Sequence, residues 1–278
     1  MDSNQTQWGS KAWHLLSLVR AQSPLIQCIT NFVSMDIVAN TLLSAGASPA
    51  MLHAVEELPD FTPRAAALYV NVGTLSPSWL PAMTTAAQIC NTVHTPWVLD
   101  PVAASASAFR FEACRELLRL KPTVVRGNAS EIIALSLASA EPNASASKGV
   151  DSVHDSMDAV EAAKLLAQTS GAVVAVSGAT DIVTDGIRVV GAHNGVAMMQ
   201  KVTATGCSVT ALIAAFVAVD KSHALDAAVS ALAVFGVAGE LGMKMAKGPA
   251  SLRMHLIDAL YGLDEAALNS HVNITSLC

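Results

Sequence analysis

The sequence is short of charge: Asp, Glu, Lys and Arg make up 14% of its 278 residues, against about 25% in an average soluble domain. No basic run occurs and the formal net charge is −6, which argues against nucleic acid as a partner. Cysteine is sparse too. The five thiols, Cys28, Cys90, Cys114, Cys207 and Cys278, are odd in number and form no CxxC pair, so neither a disulfide framework nor a structural zinc site is expected. Free thiols point to a reducing, cytoplasmic compartment. No GxxxxGK[ST] loop, no GxGxxG after the first strand, no GxSxG elbow and no HExxH pair is present. Their absence sets aside P-loop, Rossmann, α/β-hydrolase and zinc-hydrolase chemistry. Apolar residues, by contrast, reach 52%. That excludes disorder and implies a full core, with apolar surface left over for a subunit interface.

One uncharged stretch, Val202–Val219, has 18 residues, the lower limit for a membrane-spanning helix. Its first half, Val-Thr-Ala-Thr-Gly-Cys-Ser, is polar and turn-forming, so the stretch reads as a turn followed by a core helix. A second candidate, Ala227–Gly239, ends at Glu240, and no membrane span is expected. The first residues lack the basic start and apolar stretch of a signal peptide. Trp8, Trp13, Leu15 and Leu16 instead form the stripe of an N-terminal helix within residues 1–23, which argues against a transit peptide.

Short β-branched runs alternate with helical periodicity, as in parallel α/β architecture. Strands are expected at Leu25–Ile29, Pro49–His53, Leu68–Val72, Trp97–Leu99, Thr123–Val125 and Val173–Val176, with a hairpin across Asp185-Gly186. These runs are almost wholly apolar, as strands covered on both faces should be. Intervening helices are expected at Met35–Ala45, Trp79–Asn91, Phe109–Leu120, Ser130–Ser139 and Asp158–Thr169, with three more at Cys207–Val219, His223–Ala246 and Ser251–Tyr261. Residues 140–156, rich in Ser, Ala, Asn and Asp, read as a surface loop inside one domain spanning 1–278.

Ligands of open parallel sheets bind beyond the carboxyl ends of the strands, so the residues at those ends carry most of the information. Thr30-Asn31, Asp100-Pro101, Arg126-Gly127-Asn128 with Glu131 a turn later, and Ser177-Gly178 all fall there, and Thr205-Gly206-Cys207-Ser208 opens an apolar helix. Two carboxylates, an arginine and a glycine-containing helix start on one edge suit a metal-bound, phosphate-bearing ligand. A cysteine at a helix start is expected to have a lowered pKa, which marks Cys207 as a reactive thiol.

The sequence resembles the hydroxyethylthiazole kinase family of the ribokinase-like superfamily. The resemblance lies in Cys-Ile-Thr-Asn-Phe-Val at 28–33, Gly-Ala-Ser-Pro-Ala-Met at 46–51, Val-Leu-Asp-Pro-Val at 98–102 and Val-Arg-Gly-Asn-Ala-Ser-Glu-Ile at 125–132. It continues through Lys-Gly-Val-Asp-Ser at 148–152, Ser-Gly-Ala-Thr-Asp-Ile-Val-Thr-Asp-Gly at 177–186 and Val-Thr-Ala-Thr-Gly-Cys at 202–207. It implies a three-layer α/β/α fold with a mostly parallel central sheet. It also implies ATP- and Mg²⁺-dependent phosphorylation of 4-methyl-5-(2-hydroxyethyl)thiazole in thiamine salvage, by a homotrimer with sites near subunit boundaries. Carried over, Asn31, Met51 and Ala204 line the thiazole site, and Arg126, Ser177 and Asn128 serve ATP. Thr205, Gly206 and Cys207 form an anion hole, Asp100 and Glu131 serve the metal through water, and Cys207 is catalytic. The family commonly has glycine where this chain has Ala204, which places a methyl near the approaching hydroxyl. A ribokinase-like dehydratase of a hydrated nicotinamide cofactor, a kinase of another vitamin precursor and a thiazole-binding protein without turnover are the alternatives.

Overall fold

A computed structural model describes residues 3–140 and 155–277. The expected loop at 140–156 and the Lys-Gly-Val-Asp-Ser stretch at 148–152 fall largely or wholly outside the described residues. Among the described residues nine strands form one sheet: β1 (Leu25–Ile29), β2 (Ser48–Met51), β3 (Ala67–Asn71), β4 (Trp97–Asp100), β5 (Val124–Asn128), β6 (Val173–Ser177), β7 (Asp181–Thr184), β8 (Val189–Ala192) and β9 (Ile274–Ser276). Their order is β2-β1-β3-β4-β5-β6-β7-β8-β9. Pairings from β2 through β6 are parallel, and those from β6 through β9 are antiparallel. The fold is therefore a single-domain, mostly parallel α/β sheet.

The helices are α1 (Ser3–Gln22), α2 (Met35–Ala45), α3 (Leu58–Phe61), α4 (Leu80–Thr92), α5 (Ala108–Arg119), α6 (Ala129–Ala140), α7 (Val160–Ser170), α8 (Thr205–Val219), α9 (Ala224–Met243), α10 (Pro249–Gly262) and α11 (Glu265–His271). Successive strand residues point to opposite faces, and the two cores divide accordingly. Ile26, Cys28, Tyr69, Val98 and Val124 pack with apolar residues of α1, α2, α8 and α9. Ile29, Leu68, Val70, Leu99 and Val125 pack with those of α4, α5, α6 and α7. Three layers result.

The apolar surplus goes into this packing. By length and composition the segment Lys221–Met243 could cross a membrane, but 78% of its most apolar window is buried inside the protein. It lies against α8, α10 and α1. Likewise α8, the second half of the uncharged stretch, is buried from Cys207 through Val217 and aims its N-terminus at the carboxyl edge of the parallel strands.

Candidate active site

The site is built where β1, β3, β4, β5 and β6 end and α8 begins. Parallel register sets Asn71 beside Asp100 and Asn128 beside Ser177, so polar residues that close neighbouring strands become lateral neighbours. Arg126 and Asn128 lie within β5 itself, which runs three residues further than the sequence reading allows.

Asn128 and Glu131 are first a structural device. Asn128 Oδ1 accepts the Glu131 amide at 2.9 Å, and Glu131 Oε2 accepts the Asn128 amide at 2.7 Å, a reciprocal capping box that starts α6. Glu131 Oε1 takes the Ala103 amide at 2.7 Å. Both carboxylate oxygens thus accept one backbone amide each, which fixes the orientation of the group. Burial and the neighbouring Asp100 charge push the Glu131 carboxyl up to about 7. Asp100 is 1% exposed, and burial raises its pKa against the opposing pull of Arg126 and three hydrogen bonds. Those bonds, from Tyr69 Oη, Asn71 Nδ2 and Thr210 Oγ1, all fall on Oδ2. A buried carboxylate whose charge raises the proton affinity of a second fits a shared divalent cation.

The phosphate side is sharper. The first intrahelical bond of α8 runs from the Ser208 amide to the Ala204 carbonyl, so the amides of Thr205, Gly206 and Cys207 point outward from the positive end of the helix. Arg126 sits directly against them: a Cβ at Gly206 would come within 2.7 Å of Arg126 Nη1, so a larger residue there would displace the guanidinium. Arg126 Nη2 donates to Ser177 Oγ, and its buried Nε finds no acceptor among the described residues. A guanidinium facing a helix N-terminus is repulsive until an anion lies between them. Both border a cleft of about 320 Å³ with Asp181 on its polar side and Val209, Leu232 and Phe235 on its apolar side. Asp181 accepts the Gly178 amide at 3.0 Å, and burial lifts its carboxyl to about 6.

Cys207 lies beyond the helix start, on the side towards β1 and β3. Its Sγ is approached by Asn31 Nδ2 at 3.5 Å and Asn71 Nδ2 at 3.3 Å. The expectation of a lowered thiol pKa is corrected here. Burial and the Asp100 charge outweigh the helix start, Arg126 and the two amides, and the thiol is pushed up to about 11. Asn31 is fully engaged: Oδ1 accepts the amides of Val33 and Ser34, both at 3.0 Å, and Nδ2 donates to Asn71 Oδ1 at 2.8 Å as well as to the sulfur. What it has left for a ring is packing rather than a free hydrogen bond. Met51 closes β2 in register with Cys28 and lies outside this polar network. Ala204 stands immediately before α8 with φ 61°, in the left-handed region, and its side chain packs against apolar residues on two sides.

Asn71, Tyr69, Thr210 and Asp181 belong to the site but do not stand out in the sequence reading. Asn71 and Tyr69 fall inside the expected strand Leu68–Val72, and Thr210 inside an apolar helix. A polar residue interrupting an apolar strand is the signal that would have found Asn71.

The hydroxyethylthiazole kinase family model matches residues 16–266. A hydroxyethylthiazole kinase of Arabidopsis thaliana is 65% identical over 275 residues, covering 99% of this chain and 98% of that protein. One of Zea mays is 64% identical, covering 99% and 96%, and one of Rhizobium rhizogenes is 51% identical, covering 95% and 96%. The solved hydroxyethylthiazole kinase of Pyrococcus horikoshii superposes with a TM-score of 0.88 at 38% identity, covering 96% of this chain and 98% of that one. A Staphylococcus aureus pyridoxal kinase in complex with AMP-PCP and pyridoxal superposes at 0.62 with 18% identity, covering 91% and 98%; that likeness shows a shared ribokinase-like fold.

Proposed function

The chain belongs to the hydroxyethylthiazole kinase family, and from that premise we propose how its residues perform the reaction. The reaction is transfer of the ATP γ-phosphoryl group to the primary hydroxyl of 4-methyl-5-(2-hydroxyethyl)thiazole, in thiamine salvage. Phosphoryl transfer relies on positioning and charge neutralisation. The observation that carries the assignment of roles is the Arg126 guanidinium, with its buried Nε unpartnered among the described residues, set against the open end of α8. The transferring phosphoryl group resolves that repulsion. Thr205, Gly206 and Cys207 donate their amides to it, and Arg126, held by Ser177, supplies the opposing charge. Asn128 fixes Glu131 through the capping box.

Asp100 and, through water, Glu131 would hold Mg²⁺, which neutralises phosphate charge. The adenine face lies on the apolar side of the cleft, against Val209, Leu232 and Phe235. The thiazole lies on the other side of α8, near Asn31, Met51 and Ala204, with its hydroxyl directed at Cys207. As the hydroxyl oxygen bonds to the γ-phosphorus and the bond to ADP breaks, the hydroxyl proton passes to the thiolate form of Cys207 Sγ. The two amide donors aimed at the sulfur favour its charged form, against the burial that keeps the thiol pKa raised.

The enzyme acts as one kinase domain and as a cytoplasmic homotrimer with the thiazole sites near subunit boundaries. Phe32 and Val33, which directly follow Asn31, are 67% and 59% exposed, and Leu43 on α2 is 58% exposed. This apolar surface beside the acceptor site supports the assembly. The described cysteines are free and buried, as a reducing compartment favours.

An acceptor screen tests the reading. With ATP and Mg²⁺, the hydroxyethylthiazole should give its monophosphate, and a hydrated nicotinamide cofactor should remain unrepaired. Cofactor repair, or thiazole binding by calorimetry without any product, would overturn it.

A further inference from the structure

Asn71 is fully buried, closes β3, and occupies the centre of a network into which no charged side chain but Asp100 donates or accepts. Its amide orientation is set from one side. Oδ1 accepts the Gly73 backbone amide at 2.8 Å and Asn31 Nδ2 at 2.8 Å, so Nδ2 must face the other way. There it meets three acceptors: Asp100 Oδ2 at 2.8 Å, Tyr69 Oη at 2.8 Å and Cys207 Sγ at 3.3 Å. An amide has two hydrogens. Tyr69 Oη itself donates to Asp100 Oδ2 at 3.2 Å. One hydrogen of Asn71 is therefore committed to the carboxylate and the other is left for the sulfur or the phenol.

The packing holds this arrangement in one geometry. A Cβ at Gly73 would come within 2.6 Å of Asn31 Nδ2, so the loop after β3 closes on the asparagine pair without slack. Arg110 Nη1 donates to the carbonyls of Val72 and Val102, which ties that loop to the one following Asp100.

We propose that Asn71 is the positioning residue of the reaction: one side-chain amide holds the Cys207 sulfur on the acceptor side and the Asp100 carboxylate on the phosphate side, fixing the distance between them. The inference rests on the role given to Cys207 above. A one-ångström error in such a placement costs about 10²-fold in rate. The part of its contribution that Asn71 makes through Cys207 vanishes where the thiol is gone, and the part made through Asp100 remains.

A double-mutant cycle tests this. Asn71→Leu should lower kcat about 10²-fold with KM for thiazole and ATP little changed. In a Cys207→Ala background the same substitution should lower kcat by less than about tenfold, because groups that act as a unit are not additive. Should Asn71→Leu fail to fold, Asn71→Asp carries the same cycle, since it keeps the acceptor for the Gly73 amide and removes the –NH₂ group. Equal losses from the Asn71 substitution in both backgrounds, with an active wild-type enzyme, would overturn the inference alone. A wild-type protein that forms no thiazole phosphate would overturn the catalytic reading and the inference with it.

Discussion

Cys207 shows why residue type and helix position are not enough to set a pKa. A cysteine at N3 of an apolar helix invites the expectation of a ready thiolate, yet burial beside Asp100 pushes it up to about 11. The reactive form is then a minority at neutral pH, growing tenfold with each pH unit. The kcat/KM for thiazole should accordingly rise between about pH 7 and 10 with a slope approaching one; in Cys207→Ser that rise should disappear. A flat wild-type profile would remove the sulfur from proton transfer. Ala204 teaches the complementary point. The family's usual glycine matches the left-handed backbone found there, φ 61°, and the methyl packs into apolar surroundings. Ala204→Gly should therefore stabilise the protein by about 1 kcal/mol, seen as a raised Tm, with kcat and KM unchanged. Faster turnover would mean that the methyl obstructs the hydroxyl after all.

At the scale of elements, the capping box that begins α6 also fixes the Glu131 carboxylate, the group proposed to serve the metal. Asn128→Ala removes the side-chain acceptor for the Glu131 amide and should cost about 1 kcal/mol of stability. Glu131 has a second consequence, because its folded pKa of about 7 lies above the ordinary value of 4.5. The folded state binds the proton more tightly, so this group supports folding at acid pH and withdraws that support as pH rises through 4.5 to 7. At 1.36 kcal/mol per unit the loss is about 3 kcal/mol, and Asp181, lifted to about 6, adds in the same direction. Unliganded protein should thus melt at lower temperature at pH 8 than at pH 5, with Mg²⁺ and ATP restoring more Tm at pH 8; the opposite order would show that these carboxyls are not strained. Elements flanked on both faces were legible in the sequence because burial makes their strands continuously apolar: β1, α2 and the hairpin across Asp185-Gly186 fall where the pattern places them. The short α11 and the three-residue β9 carry too few residues to show a period. Asn71 stayed hidden for a related reason, since the expected strand ran one residue past it.

Across the whole molecule, the scarcity of charge is concentrated into function. Asp100, Arg126, Glu131 and Asp181 stand at or beside one edge of the sheet, while the alanine-rich helices behind it are nearly featureless apolar mass. That these residues gather on one edge was readable from residue types and strand ends; their hydrogen-bond wiring required the register of β3 against β4. The apolar rim at Phe32, Val33 and Leu43 should be covered in solution, so light scattering should return three times the 28.7-kDa chain mass. Phe32→Asp with Leu43→Asp should shift that mass towards the single chain, and a fully active monomer would contradict the shared-site assembly. The most direct measurement follows thiazole monophosphate and ADP by phosphorus NMR in the presence of ATP and Mg²⁺. The two products should appear in equal amounts with the wild-type chain and about 10²- to 10³-fold more slowly with Cys207→Ala. Equal rates for the two proteins, or ADP without the thiazole phosphate, would contradict a transfer site organised around Cys207.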